Sequence, residues 1–451
     1  MRKLVMGVMT ALMMAVPVHA ASKATAQQNQ DEFYEQLDLL MRIFERVRTE
    51  YVDPVDDKKV IEAAIQGMLH SLDPHSTYLN PDIYQQVRVQ MEGEYGGLGI
   101  EVQMDNGLVK VVSPIDDTPA ALAGIKGGDY ITQIDGKPVM GLTLTEAVKM
   151  MRGPIGSPII VTILRDGVKK PFDMKIIRKK ILVHSVRHHI EDGTVGYIRI
   201  TTFNMQTGAG VEKAIKDLKA KLGNKLDGVI LDLRNNPGGL LDEAIRVSDA
   251  FLDHGEIVST RGRKRQNNNR WYATPGDLLD GLPMVVLTNA YSASASEIVA
   301  GALQDHRRAV ILGDRTFGKG TVQSEIRLGR KGDSAIRLTT ARYFTPSGRS
   351  IQERGIEPDI EDLTPMARAE AQRREANLSG HLTNDQQRID RAGEQDPLTP
   401  AEQAAVKEAK AEENAKKGAK AGPEVDIQLQ HAIKLLKNMS SLPKSQVAEV
   451  R

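Results

Sequence analysis

Residues 288–323 read TNAYSASASEIVAGALQDHRRAVILGDRTFGKGTVQ, and the fold of the chain turns on them. They follow an apolar run, Met284-Val285-Val286-Leu287, with the length and composition of a buried strand. Three serines come next on alternate positions: Ser292, Ser294 and Ser296. A helical pattern follows, with Ile298 and Leu303 among small alanines, and Ala309-Val310-Ile311-Leu312 returns as a second strand. A glycine-bracketed lysine, Gly318-Lys319-Gly320, then falls in a loop, and Gln323 stands four residues beyond the lysine.

A hydroxyl at a strand-to-helix junction is well placed to be a nucleophile. The free N–H groups and partial positive charge of the helix N-terminus can stabilise a developing oxyanion. The hydroxyl still needs a base, and a lysine serves when burial lowers its proton affinity toward neutrality. In these motifs, SASASE followed by FGKGTVQ, the chain resembles the C-terminal processing (tail-specific) serine proteases. The resemblance extends over most of the chain. It implies a serine–lysine dyad without histidine, with the lysine twenty-five residues after the nucleophile, which gives Ser294 and Lys319. It also implies that Gln323 holds the amine. Ser292 and Ser296 are left as structural residues that cap the helix.

Gly313 to Lys319 also reads G-x-x-x-x-G-K after a strand, most of a phosphate-binding loop. Gly320 stands where that loop needs its magnesium-binding hydroxyl, and TVQSEIRL alternates like a strand where a helix should open. A nucleotide is therefore not expected, and no cofactor or metal is called for.

Working outward, Val195 to Ile200 reads as a strand, residues 211–222 as a helix and residues 228–233 as an apolar strand. Residues 240–252 make a further helix, and Ile257 starts a strand. Such alternation argues an α/β domain with a largely parallel sheet, whose ligand sites lie at the carboxyl ends of the strands. Asn235-Asn236-Pro237-Gly238-Gly239 sits at one such end. The family resemblance implies that this loop supplies one oxyanion amide, Gly238 or Gly239, and that Ala295 supplies the other. SAIRLTTARYF, residues 334–344, reads as a strand.

Residues 94–178 resemble a PDZ domain. Gly96-Gly97-Leu98-Gly99-Ile100 opens it, alternating strands follow, and a helix is expected over residues 144–151. The resemblance implies that Gly97, Leu98, Gly99 and Ile100 bind the carboxylate end of a peptide, which adds as a strand. Arg152, at the end of the helix, is a candidate regulatory residue that senses peptide; an ordinary surface arginine is the competing reading.

Arg2 and Lys3, an apolar core to Val16 and the small-residue ending Pro17-Val18-His19-Ala20 make a signal peptide, too short in its core to span a bilayer. The mature chain is expected to start near Ala21, in a periplasm or outside the cell. Residues 21–30 read as loose. Apolar residues at helical spacing then mark one helix through Phe33, Leu37, Leu40, Phe44 and Val47, and another through Ile61, Ile65, Met68 and Leu72. In DPHSTYL, residues 73–79, His75 reads as a loop hydrogen-bonder rather than a metal ligand. Residues 363–422 shift to Ala, Glu, Lys, Gln and Arg and read as a charged low-complexity linker, mobile or only marginally helical. Residues 423–451 hold an amphipathic helix expected to dock on the N-terminal helices or on a second subunit.

With net charge +1, nucleic acid is not implied as a partner, and the absence of cysteine excludes disulfides and thiol catalysis. The expected architecture is a multi-domain α/β chain. Its parts are a signal peptide (1–20), an N-terminal helical region (21–93), a PDZ β-sandwich-like domain (94–178), a catalytic core with a parallel sheet (179–362), the linker and the C-terminal helix. The expected function is a secreted serine endopeptidase for proteins with accessible apolar C-termini, with an activating adaptor and a homo-oligomer held by the N- and C-terminal helices as further partners. Three alternatives stand beside it. One is a non-catalytic PDZ adaptor, and one is a crotonase-type hydratase. The third is a Ser–His–Asp triad using His184, His188, His189, His254 or His306.

Overall fold

The computed structural model describes residues 17–328, 332–362, 373–384, 386 and 426–441. The core of the expected signal peptide and most of the 363–422 stretch lie outside the described residues. The chain divides into two compact units, Met1–Met68 and Leu69–Arg451. In the first, a helix covers Pro17–Glu50, and a second helix, Asp57–His70, begins. The helix runs through residues 21–30, which the sequence reading left loose; their Ala, Gln and Lys content favours it. Phe33, Leu37, Leu40 and Met41 on the long helix are exposed.

In the second unit, the strands Ile100–Asp105, Leu108–Pro114, Tyr130–Ile134, Pro158–Leu164 and Phe172–Ile177 form one antiparallel sheet. Every second residue of Pro158–Leu164 is sealed: Ile159, Val161 and Ile163. This period-2 pattern places one face on the core. The helix Leu144–Met151 opens with a reciprocal cap between Thr143 and Glu146. Both ends of this domain leave through a single ribbon, in which Glu94–Gly97 pairs antiparallel with Lys179–Leu182.

The part of the chain from Val186 to Glu361 is built on a six-stranded sheet. Its order is Val186–Glu191, Val195–Ile200, Gly228–Asp232, Met284–Thr288, Val310–Gly313 and Ile360–Glu361, parallel except for the first pair. The helices Thr207–Leu222, Leu241–Asp249 and Ala295–Asp305 cover one face, against Ile198, Val229, Leu231, Val286 and Ile311. The intervening residues, among them Tyr197, Ile230, Val285 and Leu287, face the other way and pack on the helix Ile427–Ser440 through Ala432, Ile433 and Leu436. Burial on both faces explains why these strands read as continuous apolar runs. It also corrects the expected docking of the C-terminal helix: its apolar side is taken up by the sheet of its own chain. Asp426 fastens the start of that helix by a two-pronged pair with Arg234, at 2.9 and 2.7 Å.

A second, antiparallel sheet joins distant segments. Thr77–Leu79, Ser334–Phe344, Glu256–Gly262 and Asn269–Tyr272 pair in that order, and Thr321–Leu328 pairs with Ser334–Phe344. This sheet carries the lysine loop. Residues 373–384 depart from the linker reading, for Glu375 and Asn384 are buried against the same region.

Candidate active site

Met284–Thr288 ends in a tight turn that feeds the helix Ala295–Asp305. Ser292 and Ser296 are sealed and bind the neighbouring loop rather than capping the helix. Ser292 Oγ donates to the Leu233 carbonyl at 2.9 Å, and Ser296 Oγ donates to that of Asn236 at 3.0 Å. Ser294, between them, is only half-buried. Its backbone lies at φ 55° and ψ −110°, a region that L-residues rarely enter and that costs about 1–3 kcal/mol.

Glu297 holds this strain in place. One carboxylate oxygen accepts the backbone N–H of Ser294 at 2.7 Å and that of Lys319 at 2.9 Å. The other accepts Gly318 N–H and the Thr316 hydroxyl, each at 2.6 Å. The group is fully buried; burial pushes its carboxyl up to about 7, while the four donors favour the charge. The Ser294 turn and the Lys319 loop are thus tied to one side chain. Glu297 stands within SASASE at the third helical position, the reciprocal-cap position, and that place is the one signal in the sequence for its role.

Ser294, Lys319 and Gln323 line one cleft of about 1400 Å³ with Gly238 and Gly239. Lys319 is largely buried, and burial lowers its proton affinity, with Arg337 acting in the same direction. Among the described residues its amine forms no hydrogen bond or ion pair, and none joins it to the Ser294 hydroxyl. Gln323 departs from the expectation that it holds the amine. Its amide nitrogen donates to the hydroxyls of Thr321 and Thr339 at 2.9 and 3.2 Å, both on the antiparallel sheet where a register shift at Val322 and Gln323 turns it.

The Asn235–Gly239 loop is organised by Asn236, a sealed residue that the sequence reading passed over. Its amide nitrogen donates to the Ile200 carbonyl, and its side-chain oxygen accepts Gly238 N–H, both at 2.9 Å. The N–H groups of Gly239 and Ala295 have no acceptor among the described residues. A side chain at Gly238 would lie 2.6 Å from the Ala293 carbonyl and 2.8 Å from Ala295 N, so only glycine lets this loop close on the Ser294 turn.

The five histidines considered for a triad do not line the cleft. His306, for example, binds the Glu256 carbonyl at 2.7 Å. Gly97, Leu98, Gly99 and Ile100 line a second, smaller groove with Val148 and Met151. Arg152 borders both cavities, its guanidinium 4.3 Å over the Tyr95 ring and its Nε buried with no hydrogen-bond partner among the described residues.

The model for peptidase family S41 matches residues 194–362, a PDZ domain model matches residues 96–176, and the model for the activating protease CtpB N-terminal domain matches residues 5–83. A carboxy-terminal-processing protease of Bartonella bacilliformis is 54% identical over 371 residues, covering 81% of this chain and 85% of that protein. The carboxy-terminal processing protease CtpB of Bacillus subtilis is 36% identical over 353 residues, 77% of this chain and 72% of that one. Among solved structures, a photosystem II D1 C-terminal processing protease aligns with 71% of this chain and 85% of its own at 30% identity, with a TM-score of 0.41.

Proposed function

The chain belongs to the carboxy-terminal processing proteases of peptidase family S41, and from that premise we propose that it is a serine endopeptidase with Ser294 as nucleophile and Lys319 as base. The observation that carries this reading is the Glu297 carboxylate, which binds both the Ser294 turn and the Lys319 loop at the edge of one cleft. A neutral Lys319 amine takes the proton of Ser294 Oγ as the oxygen attacks the scissile carbonyl, then gives it to the departing amine. Water releases the acyl group by the same route in reverse. The amides of Ala295 and Gly239 meet the oxyanion. Gly239 is preferred to Gly238 because the Gly238 N–H is already held by Asn236.

Ser294 and Lys319 share no hydrogen bond at rest, so a substrate-linked adjustment brings Oγ and the amine into contact. Arg152 is the regulatory element of this reading, since it touches both the peptide groove and the catalytic cleft. The substrate is a protein with an accessible apolar C-terminus, captured beside Ile100–Asp105 while its chain crosses to Ser294. The basic start at Arg2 and Lys3, the apolar core and the small residues up to Ala20 support export to the periplasm or beyond. The exposed apolar side of Pro17–Glu50 supports self-association.

The test is cleavage of an unfolded protein with an apolar C-terminus by the wild-type chain, Ser294→Ala, Lys319→Ala and Ser292→Ala. Loss in the first two variants alone is the expected result. Capture of the C-terminus without turnover by the wild type would instead favour an adaptor.

A further inference from the structure

Behind Lys319 lies a buried acid that the mechanism above does not use. Glu375 is fully sealed, and it comes from the stretch whose composition reads as a linker. Its backbone N–H donates to the Phe317 carbonyl at 3.1 Å, two residues before the lysine. One carboxylate oxygen lies 2.8 Å from His75 Nε2, and the other accepts the Gln352 amide at 2.9 Å. The Gln352 side-chain oxygen in turn accepts Gly320 N–H at 2.9 Å, on the other side of the lysine. The network continues through the segment just before Thr77–Leu79, where Asp73 accepts His75 N–H at 2.9 Å. Asp73 accepts both the N–H and the hydroxyl of Ser76 at 2.8 Å, and Ser76 Oγ accepts Thr339 N–H at 3.2 Å. Thr339 is also the residue to which Gln323 donates.

A carboxylate taken wholly out of water is costly unless it is fully partnered. A solvated linker has no need of such a group. The ring runs from Phe317 through Glu375, Gln352 and Gly320, so it fixes the lysine loop on both sides of its one functional residue. We propose that Glu375, clamped between His75 and Gln352, is a positioning residue for Lys319: it sets the shape of the Phe317 to Gly320 loop and keeps a negative charge behind the amine. The proposal rests on Lys319 being the base.

The charges that face the amine are Glu375, Glu297 and Asp73, which favour its protonated form, and Arg337, which opposes it. Glu375 is the largest of these charge effects, second only to burial. Arg337 is itself paired with Glu325 at 3.0 Å, and His75 stands against Glu375. Replacing the carboxylate by an amide therefore makes Lys319 easier to deprotonate, while the hydrogen-bonding shape is largely kept.

The experiment compares wild type, Glu375→Gln and Glu375→Ala in the full chain by two readouts. One is the pH profile of kcat/KM on an unfolded protein substrate. The other is the pH dependence of Lys319 acetylation by acetic anhydride in a Ser294→Ala background, read by peptide mass mapping. Glu375→Gln is expected to move both midpoints to lower pH by about one unit. Glu375→Ala is expected to lower plateau kcat about tenfold or more with KM little changed, and Glu375→Gln to recover most of that loss. Wild-type midpoints in Glu375→Gln overturn the proposal, whether or not Glu375→Ala folds. Absence of wild-type cleavage would sink the protease reading alone, because the acetylation midpoint still reports on Glu375.

Discussion

Glu297 accepts the backbone N–H of Ser294 at 2.7 Å, three residues before it in the chain. That contact keeps a non-glycine residue in a conformation it would otherwise leave, and the same carboxylate carries three other donors. Glu297→Gln turns two of the four acceptor sites into donors facing donors. Each orphaned group costs about 1–3 kcal/mol. We expect kcat to fall about a hundredfold or more, with a lower midpoint of denaturation. Near wild-type turnover in a folded Glu297→Gln protein would remove Glu297 from the site.

With Lys319 as the proposed base, its burial sets the pH dependence of cleavage. Its proton affinity in the fold is below the ordinary lysine value of 10.5, with burial the main cause. Activity that needs the neutral amine rises about tenfold per pH unit below the folded midpoint and levels off before pH 10.5. For stability the sign follows the same shift. The fold disfavours the charged amine, so stability gains as pH rises from the folded midpoint to the unfolded one. Lys319→Met is expected to abolish cleavage yet stabilise the chain at neutral pH. A denaturant titration at several pH values checks this; equal or lower stability of the variant at every pH would contradict it.

The backbone strain at Ser294 gives a comparison that side-chain chemistry alone does not anticipate. Ser294→Ala and Ser294→Gly both remove the side-chain hydroxyl. Glycine accepts φ 55° and ψ −110° without its usual neighbours clashing, whereas alanine keeps the strain. Ser294→Gly should therefore be more stable than Ser294→Ala by about 1 kcal/mol, despite the greater freedom of glycine in the unfolded chain. Denaturation midpoints in the reverse order would mean that the turn is not strained.

The C-terminal helix is part of the catalytic domain's packing. Leu436 is completely buried against Ile230 and Val285. Leu436→Ala should cost about 2–5 kcal/mol of stability. Solution measurements of the melting transition test this, and a change below about 0.5 kcal/mol, the scale of ordinary surface substitutions, would argue that the helix is only loosely attached.

The sequence was most informative where one local rule decides the outcome. The run Met284 to Leu287 is apolar throughout because both of its faces are covered, so its length and composition mark it as a buried strand. TVQSEIRL alternates, which separated it from a phosphate-loop helix, and it pairs with Ser334–Phe344 as a strand. The SASASE and FGKGTVQ segments led to residues that share a cleft. Legibility ended where distant segments meet. Periodicity shows that the C-terminal helix has a face to cover, but its cover is a set of strands that end more than a hundred residues earlier, at Gly313, and no local pattern names them. Residues 373–384 are polar and read as solvated. Their partners, His75 and Gln352, satisfy them only after the chain has folded. Gln323 was assigned to the lysine by motif, whereas strand register turns it to Thr321 and Thr339.

Gly97 sits directly opposite Lys179 in the ribbon that joins the PDZ domain to the rest of the chain. The domain therefore occupies the place of a hairpin loop: the polypeptide leaves the catalytic body and returns to the same spot. Such an insertion can be lengthened, exchanged or removed while the flanking strands still meet, so tail recognition and bond cleavage are free to diversify on separate schedules. A short turn joining residues 97 and 179 would give a protease body stripped of its reader, and a foreign peptide-binding module placed there would give one with a new address.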